Sequence, residues 1–311
     1  MHFYVLFTNQ RYEFYKNMKT ISGKTELYAL LGYPAKHSLS PFIHNYFFKK
    51  HSIDAVYLSF EVMPADFTTA LQGCSKLGFC GINLTMPFKE DSVKYIDSLD
   101  ENATATGSVN TIKFNKQNGS IIDSLEGFNT DISGFIKSLD DHGFEYEKSK
   151  CLVIGAGGSA KSIIYALLTK KVKTIYVCNR SLAKASEIKT LFEKAARGEV
   201  IVAEDINQTP ASEINLIINC TPIGMKQNIS KESTLTPVPQ GWNLKNKLVF
   251  EMVYNPLVTP FIKKALDEGA EVIYGTEILL NQAAFSFKIW TGIFPDLKYL
   301  KKQFKKIILA D

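Results

Sequence analysis

Two kinds of residue in this chain could carry chemistry: clustered glycines that admit a phosphate, and a few polar side chains at the ends of apolar runs. The first kind lies near the middle. Cys151-Leu152-Val153-Ile154 is apolar, Gly155-Ala156-Gly157-Gly158-Ser159-Ala160 comes next, and Lys161 to Lys170 reads as a helix. A strand, a glycine turn and a helix in that order fit Gly-x-Gly-x-x-Gly/Ala, which brings a dinucleotide pyrophosphate to a helix N-terminus. Any tight strand-to-helix turn can use glycine, but the flanking elements favour a nucleotide. In the NAD version of this turn an acid roughly 20 residues further on holds the ribose 2′-hydroxyl. Here Asn179-Arg180-Ser181 stands in that place, with Lys184 one helical turn beyond. A carboxylate would repel a 2′-phosphate, whereas a guanidinium pairs with it and stacks on adenine. The expected cofactor is NADP(H); an arginine that merely closes a strand end is the competing reading.

The second kind lies in the N-terminal half. Lys89 comes just after Pro87 at the start of an expected helix, where the macrodipole disfavours a cation. An amine whose charge is destabilised titrates more easily and can pass a proton, although a solvated lysine in a first turn explains the position equally. Asp131, at another helix start, is open between capping and catalysis. Ser38 and Ser40 flank Leu39, so both hydroxyls reach one side of an extended loop; a capping role explains Ser40 but not the pair.

The elements that position these residues alternate. Leu27–Leu31 reads as a buried strand, and Pro41 with Ser40 as N-cap opens a helix to about Lys50. Ala55–Phe60 is a strand, Pro64–Lys76 a helix, and Gly78–Leu84 a strand running into Thr85-Met86-Pro87-Phe88-Lys89 and a further helix. This predicts a small α/β domain with parallel strands. Two short strands, Ser108–Phe114 and Ser120–Asp123, flank an Asn118-Gly119 turn, and a helix begins near Asp131. Strands then occur at Thr174–Cys178, Asn215–Cys220, Lys247–Val253 and Glu271–Tyr274, with helices after Ser181 and at Thr259–Glu268. The stretch Asn228–Asn246 reads as an irregular loop, and the segments Glu277–Trp290 and Asp296–Ile308 as helices. The expected fold is α/β, with an N-terminal α/β substrate domain, a Rossmann-like dinucleotide-binding domain and a cleft between them.

Composition narrows the function classes. A chain of 311 residues has length for two domains, and 45% hydrophobic with 22% charged residues is ordinary for a globular protein. The net charge of +5 is scattered. Its densest groups, Lys170-Lys171 with Lys173 and Lys301-Lys302 with Lys305-Lys306, read as solvated faces, so nothing points to nucleic acid. Five cysteines (Cys74, Cys80, Cys151, Cys178 and Cys220), an odd number without Cys-x-x-Cys, read as reduced thiols of a cytoplasmic protein, with no metal site. No apolar run reaches membrane-spanning length, and Phe3–Phe7 is too short for a signal segment, so no membrane partner is expected. Met1–Lys24 reads as a peripheral extension, with Met18 as a possible alternative start.

An ordered series of motifs adds to this reading. Gly32-x-Pro34-x-x-His37-Ser38-x-Ser40-Pro41, Asn83-x-Thr85-x-Pro87-Phe88-Lys89, Gly107-Ser108-Val109-Asn110-Thr111 and Gly127-x-Asn129-Thr130-Asp131 come first. Gly155-Ala156-Gly157-Gly158, Asn179-Arg180, Thr221-Pro222-x-Gly224-Met225, Tyr254-x-Pro256-x-x-Thr259-Pro260, and Gly275 with Gln282-Ala283-Ala284 come after them. The series, spanning about residues 26 to 295, closely resembles the shikimate dehydrogenase family. The resemblance implies NADPH-dependent reduction of 3-dehydroshikimate to shikimate in the chorismate pathway of aromatic amino acid biosynthesis. It implies Lys89 and Asp131 as a catalytic pair, and Ser38, Ser40, Thr85, Asn110 and Gln282 as substrate ligands. It implies cofactor contacts at Gly155, Ala156, Gly157, Gly158, Ser159, Ala160, Asn179, Arg180, Ser181, Lys184, Thr221, Met225, Tyr254 and Gly275. It further implies that the C-terminal helices return to the first domain, so that residues 1–130 with 276–311 form the substrate domain and 131–275 the NADP domain. Partners are then a small-molecule substrate and a monomer or homodimer state. The sequence departs from the family pattern at Glu251, where Asp is usual, and at Ile132, where Gly is common, with Ser133 preceding Gly134. A quinate/shikimate dehydrogenase of broader substrate or cofactor use, and a non-catalytic NADP-binding sensor on the same fold, are the alternatives. Paired Ser38 and Ser40 with Arg180 weigh against the first, and retention of Lys89 and Asp131 against the second.

Overall fold

In the computed structural model, residues 21–117, 120–193, 198–225 and 235–310 are described. Residues 1–20, the Asn118-Gly119 turn and part of the loop expected at 228–246 lie outside them. The first unit comprises β1 (Glu26–Gly32), α1 (Ser40–Lys50), β2 (Ala55–Glu61), α2 (Phe67–Lys76), β3 (Gly81–Leu84), α3 (Phe88–Asp91), β4 (Ser98–Leu99), α4 (Glu101–Thr106), β5 (Thr111–Gln117) and β6 (Ser120–Phe128). The second runs α5 (Thr130–Asp141), β7 (Lys150–Ile154), α6 (Gly158–Thr169), β8 (Thr174–Cys178), α7 (Leu182–Glu193), β9 (Glu199–Ala203), β10 (Leu216–Asn219), β11 (Leu248–Glu251), α8 (Pro260–Asp267) and β12 (Glu271–Ile273). Two helices, α9 (Gly275–Thr291) and α10 (Lys298–Ala310), close the chain.

The first sheet has the order β2-β1-β3-β5-β6-β4. Its β1–β2 and β1–β3 pairs are parallel as expected, but β5 and β6 join it as an antiparallel hairpin, so the sheet is mixed. Helices cover both faces. On one, Phe47 and Phe48 of α1 meet Phe287 of α9 and Phe304 of α10; on the other, Phe67 and Leu71 of α2 and Phe88 of α3 pack on Ile82, Leu84 and Ile112. Burying a phenylalanine fully stabilises by about 2–3 kcal/mol, and these rings fix the helices to the sheet.

The second sheet, β12-β11-β10-β7-β8-β9, is parallel throughout. Read from β9 it has the doubly wound order, whose reversal between β7 and β10 creates a crevice at the strand C-termini. Strands buried on both faces read as continuous apolar runs, which is why β7, β10 and β11 were recognisable. The edge strand β9 was missed: it is five residues long and only partly buried, without the unbroken buried run that marks β7 and β10.

Two helices tie the units together. In α5, Ile132, Phe135 and Leu139 enter the second core, with Phe135 and Phe250 ring centroids 4.9 Å apart. Along α9, Ile278 belongs to that core while Leu280, Ala283, Ala284 and Phe287 belong to the first. These helices cross at Gly134, where a Cβ would stand 2.7 Å from the Gln282 backbone nitrogen. Only glycine admits that approach, which brings Gln282 beside the start of α5.

Candidate active site

Asp131 sits in the first turn of α5, where the helix dipole favours an anion. Lys89 Nζ donates to Asp131 Oδ2 at 2.7 Å, with the two side chains 25% and 16% exposed. The helix expected after Pro87 is only the four-residue α3, succeeded by a 3₁₀ turn at Ser92–Tyr95. A single turn has little macrodipole, so the dipole penalty anticipated for Lys89 does not operate; the carboxylate across from it supplies the reason for a cation. The Lys89 backbone is equally held. Its carbonyl accepts from Val109 N–H at 2.8 Å and Ser92 Oγ at 3.2 Å, and Phe88 stacks on Phe67 at 4.4 Å.

Asn110 organises the cluster. The N-cap residue Asn129 makes no side-chain cap; instead Asn110 Oδ1 accepts from Thr130 N–H at 2.8 Å, satisfying an orphan helix donor from outside the helix. Its Nδ2 lies 2.8 Å from Asp131 Oδ1, 2.9 Å from Thr130 Oγ1 and 3.4 Å from Gln282 Oε1. Lys89, Asp131, Asn110 and Gln282 therefore come together from α3, α5, the approach to β5, and α9.

A buried polar layer that sequence reasoning missed lies beneath. Asn83 Nδ2 donates to the Asn110 carbonyl, Thr111 Oγ1 and Ser286 Oγ at 3.0, 3.0 and 3.1 Å. Thr111 and Ser286 hydroxyls are 2.7 Å apart, and Thr130 Oγ1 is 3.2 Å from Ser286 Oγ. Tyr57 donates to Asn83 Oδ1 at 2.8 Å. Burial pushes the Tyr57 phenol well above its usual range, against a smaller opposing hydrogen bond with Ser40. One signal was available: polar Asn83 interrupts an apolar strand, and Gln282 and Ser286 share a helix face at i, i+4 spacing.

Ser40 is in the first turn of α1 and not its cap; Leu39 holds the N-cap position. Ser38 Oγ instead accepts the Ser40 N–H at 3.2 Å and donates to Ser40 Oγ at 3.2 Å, so the pair is locked together. Thr85 comes directly after β3, its Cγ2 occupying the space where a Cβ on Gly32 would stand. No side-chain hydrogen bond joins Thr85 to the other site residues among the described ones.

The residues assigned to the cofactor line the C-terminal edge of the second sheet. Gly155 has φ +116°, and a Cβ there would lie 3.1 Å from the Cys220 carbonyl, so the turn needs glycine. Gly157 and Gly158 are exposed, and no side chain caps α6, leaving its first amide donors for an anion. Ser159 is exposed and Ala156 partly so, whereas Ala160 is fully buried, serving helix–sheet packing. Asn179 Nδ2 donates to the Ser181 carbonyl at 2.9 Å, and Ser181 Oγ faces the Lys184 amide at 3.5 Å. Arg180 and Lys184 are exposed at this turn, which contains no acid. Donors, open glycine backbone and paired cations fit a dinucleotide with a 2′-phosphate. Thr221 donates to Asn219 Oδ1 at 2.7 Å; Met225 and Tyr254 are half-buried, and Gly275 opens α9. Across from the glycine turn, Glu90 Oε1 reaches Lys161 Nζ at 3.7 Å. Among the described residues no group of His, Cys, Asp or Glu could hold a metal, no helix is long and apolar enough to cross a membrane, and all five cysteines are free thiols.

Three family models match successive stretches of the chain. The family described as "Shikimate dehydrogenase substrate binding domain" matches residues 30–112, "Shikimate / quinate 5-dehydrogenase" residues 138–256, and "Shikimate 5'-dehydrogenase C-terminal domain" residues 275–303. A shikimate dehydrogenase (NADP(+)) of Moorella thermoacetica is 37% identical, the match covering 88% of this chain and 91% of that one. A shikimate dehydrogenase solved in complex with NADP+ is 32% identical with a TM-score of 0.82, covering 93% of this chain and 98% of that one. The Listeria monocytogenes shikimate 5-dehydrogenase, in complex with shikimate and NAD, is 31% identical with a TM-score of 0.83, over 92% and 99%. Matches of this extent, to family models along the chain and to relatives over nearly its whole length, place this chain in the shikimate dehydrogenase family.

Proposed function

We propose that this chain uses NADPH to reduce the C3 ketone of 3-dehydroshikimate to shikimate. The observation that carries the reading is the 2.7 Å contact of Lys89 with Asp131, joined through Asn110 to Gln282. When bound, the cofactor supplies a hydride to the ketone carbon. Lys89, as ammonium, donates a proton to the oxygen on which negative charge develops, and its partly exposed amine regains a proton from water. Asp131 holds the ammonium in place, itself held by the Asn110 amide. Ser38, Ser40, Thr85, Asn110 and Gln282 bind the substrate carboxylate and hydroxyls in one pose, which removes orientational entropy before the chemical step. The Gly155–Ser159 turn receives the pyrophosphate, and Arg180 with Lys184 receives the 2′-phosphate. Thr221, Met225, Tyr254 and Gly275 border the other half of the cofactor. Burial of Leu280, Ala283, Ala284, Phe287 and Phe304 in the first core supports grouping 276–311 with 1–130 as the substrate domain, leaving 131–275 as the NADP domain.

The assay runs NADPH oxidation on 3-dehydroshikimate beside reduction of NADP and NAD on shikimate and quinate. Turnover of shikimate with NADP, and at least about tenfold weaker turnover of quinate or with NAD, is the expected result. Comparable turnover of quinate with NAD would replace this reading with the broader dehydrogenase; cofactor binding without turnover of any of these substrates would favour the sensor.

A further inference from the structure

β11 ends on Glu251, whose side chain has 0% exposure. A buried carboxylate is costly unless its lone pairs are satisfied, and Glu251 meets donors on every side. Asn219 Nδ2 donates at 2.9 Å, Val253 N–H at 3.0 Å and Thr259 Oγ1 at 2.8 Å. Each donor belongs to a different segment. Asn219 also accepts the amide and hydroxyl of Thr221 at 3.0 and 2.7 Å and donates to the Ile223 carbonyl at 3.1 Å, fixing the start of the loop that runs to Met225. Val253 precedes Tyr254, and its carbonyl oxygen stands 2.6 Å from where a Cβ on Gly275 would be. Thr259 caps α8 and lies against Gly224, whose φ is +94° and whose Cβ would meet Thr259 Cβ at 3.0 Å. Thr221, Met225 and Tyr254 thus lie on segments held by one carboxylate, and Gly275 packs on the Val253 carbonyl beside them. They sit beyond β10, β11 and β12, on the far side of the crevice from Arg180. A dinucleotide held at Arg180 by its 2′-phosphate would bring its nicotinamide half to these residues.

We propose that Glu251 is a positioning residue for the nicotinamide half of the cofactor, acting through Asn219, Val253 and Thr259 on the loops that border it. This rests on the NADP reading of the second sheet. The ionised carboxylate accepts from all its donors at once; protonation replaces one acceptor with a donor facing other donors, which loosens the loops. Burial, against the hydrogen bonds that lower it, pushes the Glu251 carboxyl up to about 7, so the change falls in the working pH range. Cys220 is the titratable neighbour shown to feel its charge, and burial with Glu251 pushes that thiol up, so it stays neutral.

The test measures kcat and the KM for NADPH and for the ketone substrate, from pH 6 to 8, in the unmodified chain, Glu251→Gln and Glu251→Asp. Expected for Glu251→Gln at pH 8 is an NADPH KM raised about tenfold, the loss of one charge-assisted hydrogen bond, with kcat at saturating NADPH and the substrate KM within about twofold. The ratio of its NADPH KM to that of the unmodified chain should shrink as pH falls through 7, a comparison in which titration of the cofactor's own phosphate cancels. Glu251→Asp should keep the pH dependence with a smaller KM rise. An unchanged NADPH KM in Glu251→Gln, or equal losses in kcat and both KM values at every pH, overturns the proposal. If Glu251→Gln does not fold, Glu251→Asp decides: an NADPH KM equal to the unmodified chain's overturns it. An unmodified chain that does not bind NADPH overturns the cofactor reading and this proposal with it, whereas tight NADPH binding unaffected by Glu251→Gln removes only the role of Glu251.

Discussion

The C-terminal edges of the two sheets are built on opposite plans. At the edge of the first, side chains are already engaged with one another: Lys89 with Asp131, Asp131 with Asn110, Asn110 with Gln282, and beneath them Asn83, Thr111, Thr130 and Ser286. At the edge of the second, the outward-facing groups are backbone amide, glycine and exposed cation, and the side-chain bonding lies one layer deeper at Glu251. A site that moves a proton needs its groups oriented before the substrate arrives. A site that receives phosphates needs unspent donors and room for backbone approach. The same contrast appears in pH linkage. His44 is fully buried, stacked on Tyr57 at 4.4 Å, and has no hydrogen-bond partner for either ring nitrogen among the described residues. Burial lowers it to about 3, whereas burial raises Glu251 to about 7.

If the first edge is preorganised, the largest effect should come from removing charge within it. Asp131→Asn keeps shape and loses the counter-ion, and should lower kcat by about 10²–10³ with an NADPH KM within about twofold, read by steady-state kinetics. At the second edge, Arg180→Asp should raise the NADPH KM by about 100-fold and change the NADH KM by less than about threefold; equal changes would remove the 2′-phosphate assignment and with it the contrast.

Unfolding against pH also distinguishes the two regions. The folded His44 pKa lies below its ordinary 6.5, so the unfolded chain binds more protons between pH 3 and 6.5 and stability falls as pH drops through that window. Between pH 7 and pH 5 this amounts to about 2 kcal/mol, measured as the difference in urea unfolding between the unmodified chain and His44→Phe. Glu251 has the opposite sign: raised above its ordinary 4.5, it makes stability fall as pH rises from 4.5 to about 7. Smallest is Ser286→Ala, which takes one hydroxyl from the buried layer; a loss of about 1 kcal/mol in unfolding, with kcat reduced by no more than about fivefold, is expected.

Much of the second edge was readable from sequence because its parts are local. A parallel strand reads as an apolar run, and the residues just past its end, such as Gly155–Ala160, Asn179–Arg180 or Thr221–Met225, fall at the crevice by construction. The first edge was readable only as separate polar positions. Asn83 and Ser286 meet across 203 residues of sequence, and no periodicity reports such a pairing. Lys89 looked anomalous against a helix dipole that the one-turn α3 does not possess, and Ser40 looked like a cap although Ser38 supplies the acceptor. Glu251 showed only as a strand-end departure; its donors, from β10, the β11–α8 connection and the cap of α8, exist only in the fold.

If Lys89 supplies the proton from within a preorganised cluster while the cofactor is held independently at the second sheet, one substitution separates the two. Lys89→Met keeps the length of the side chain and removes the proton donor. Turnover of 3-dehydroshikimate and the NADPH dissociation constant should be measured on the same preparation. The kcat should fall by about 10³ or more with the dissociation constant within about twofold; turnover near that of the unmodified chain would rule out Lys89 as the proton donor.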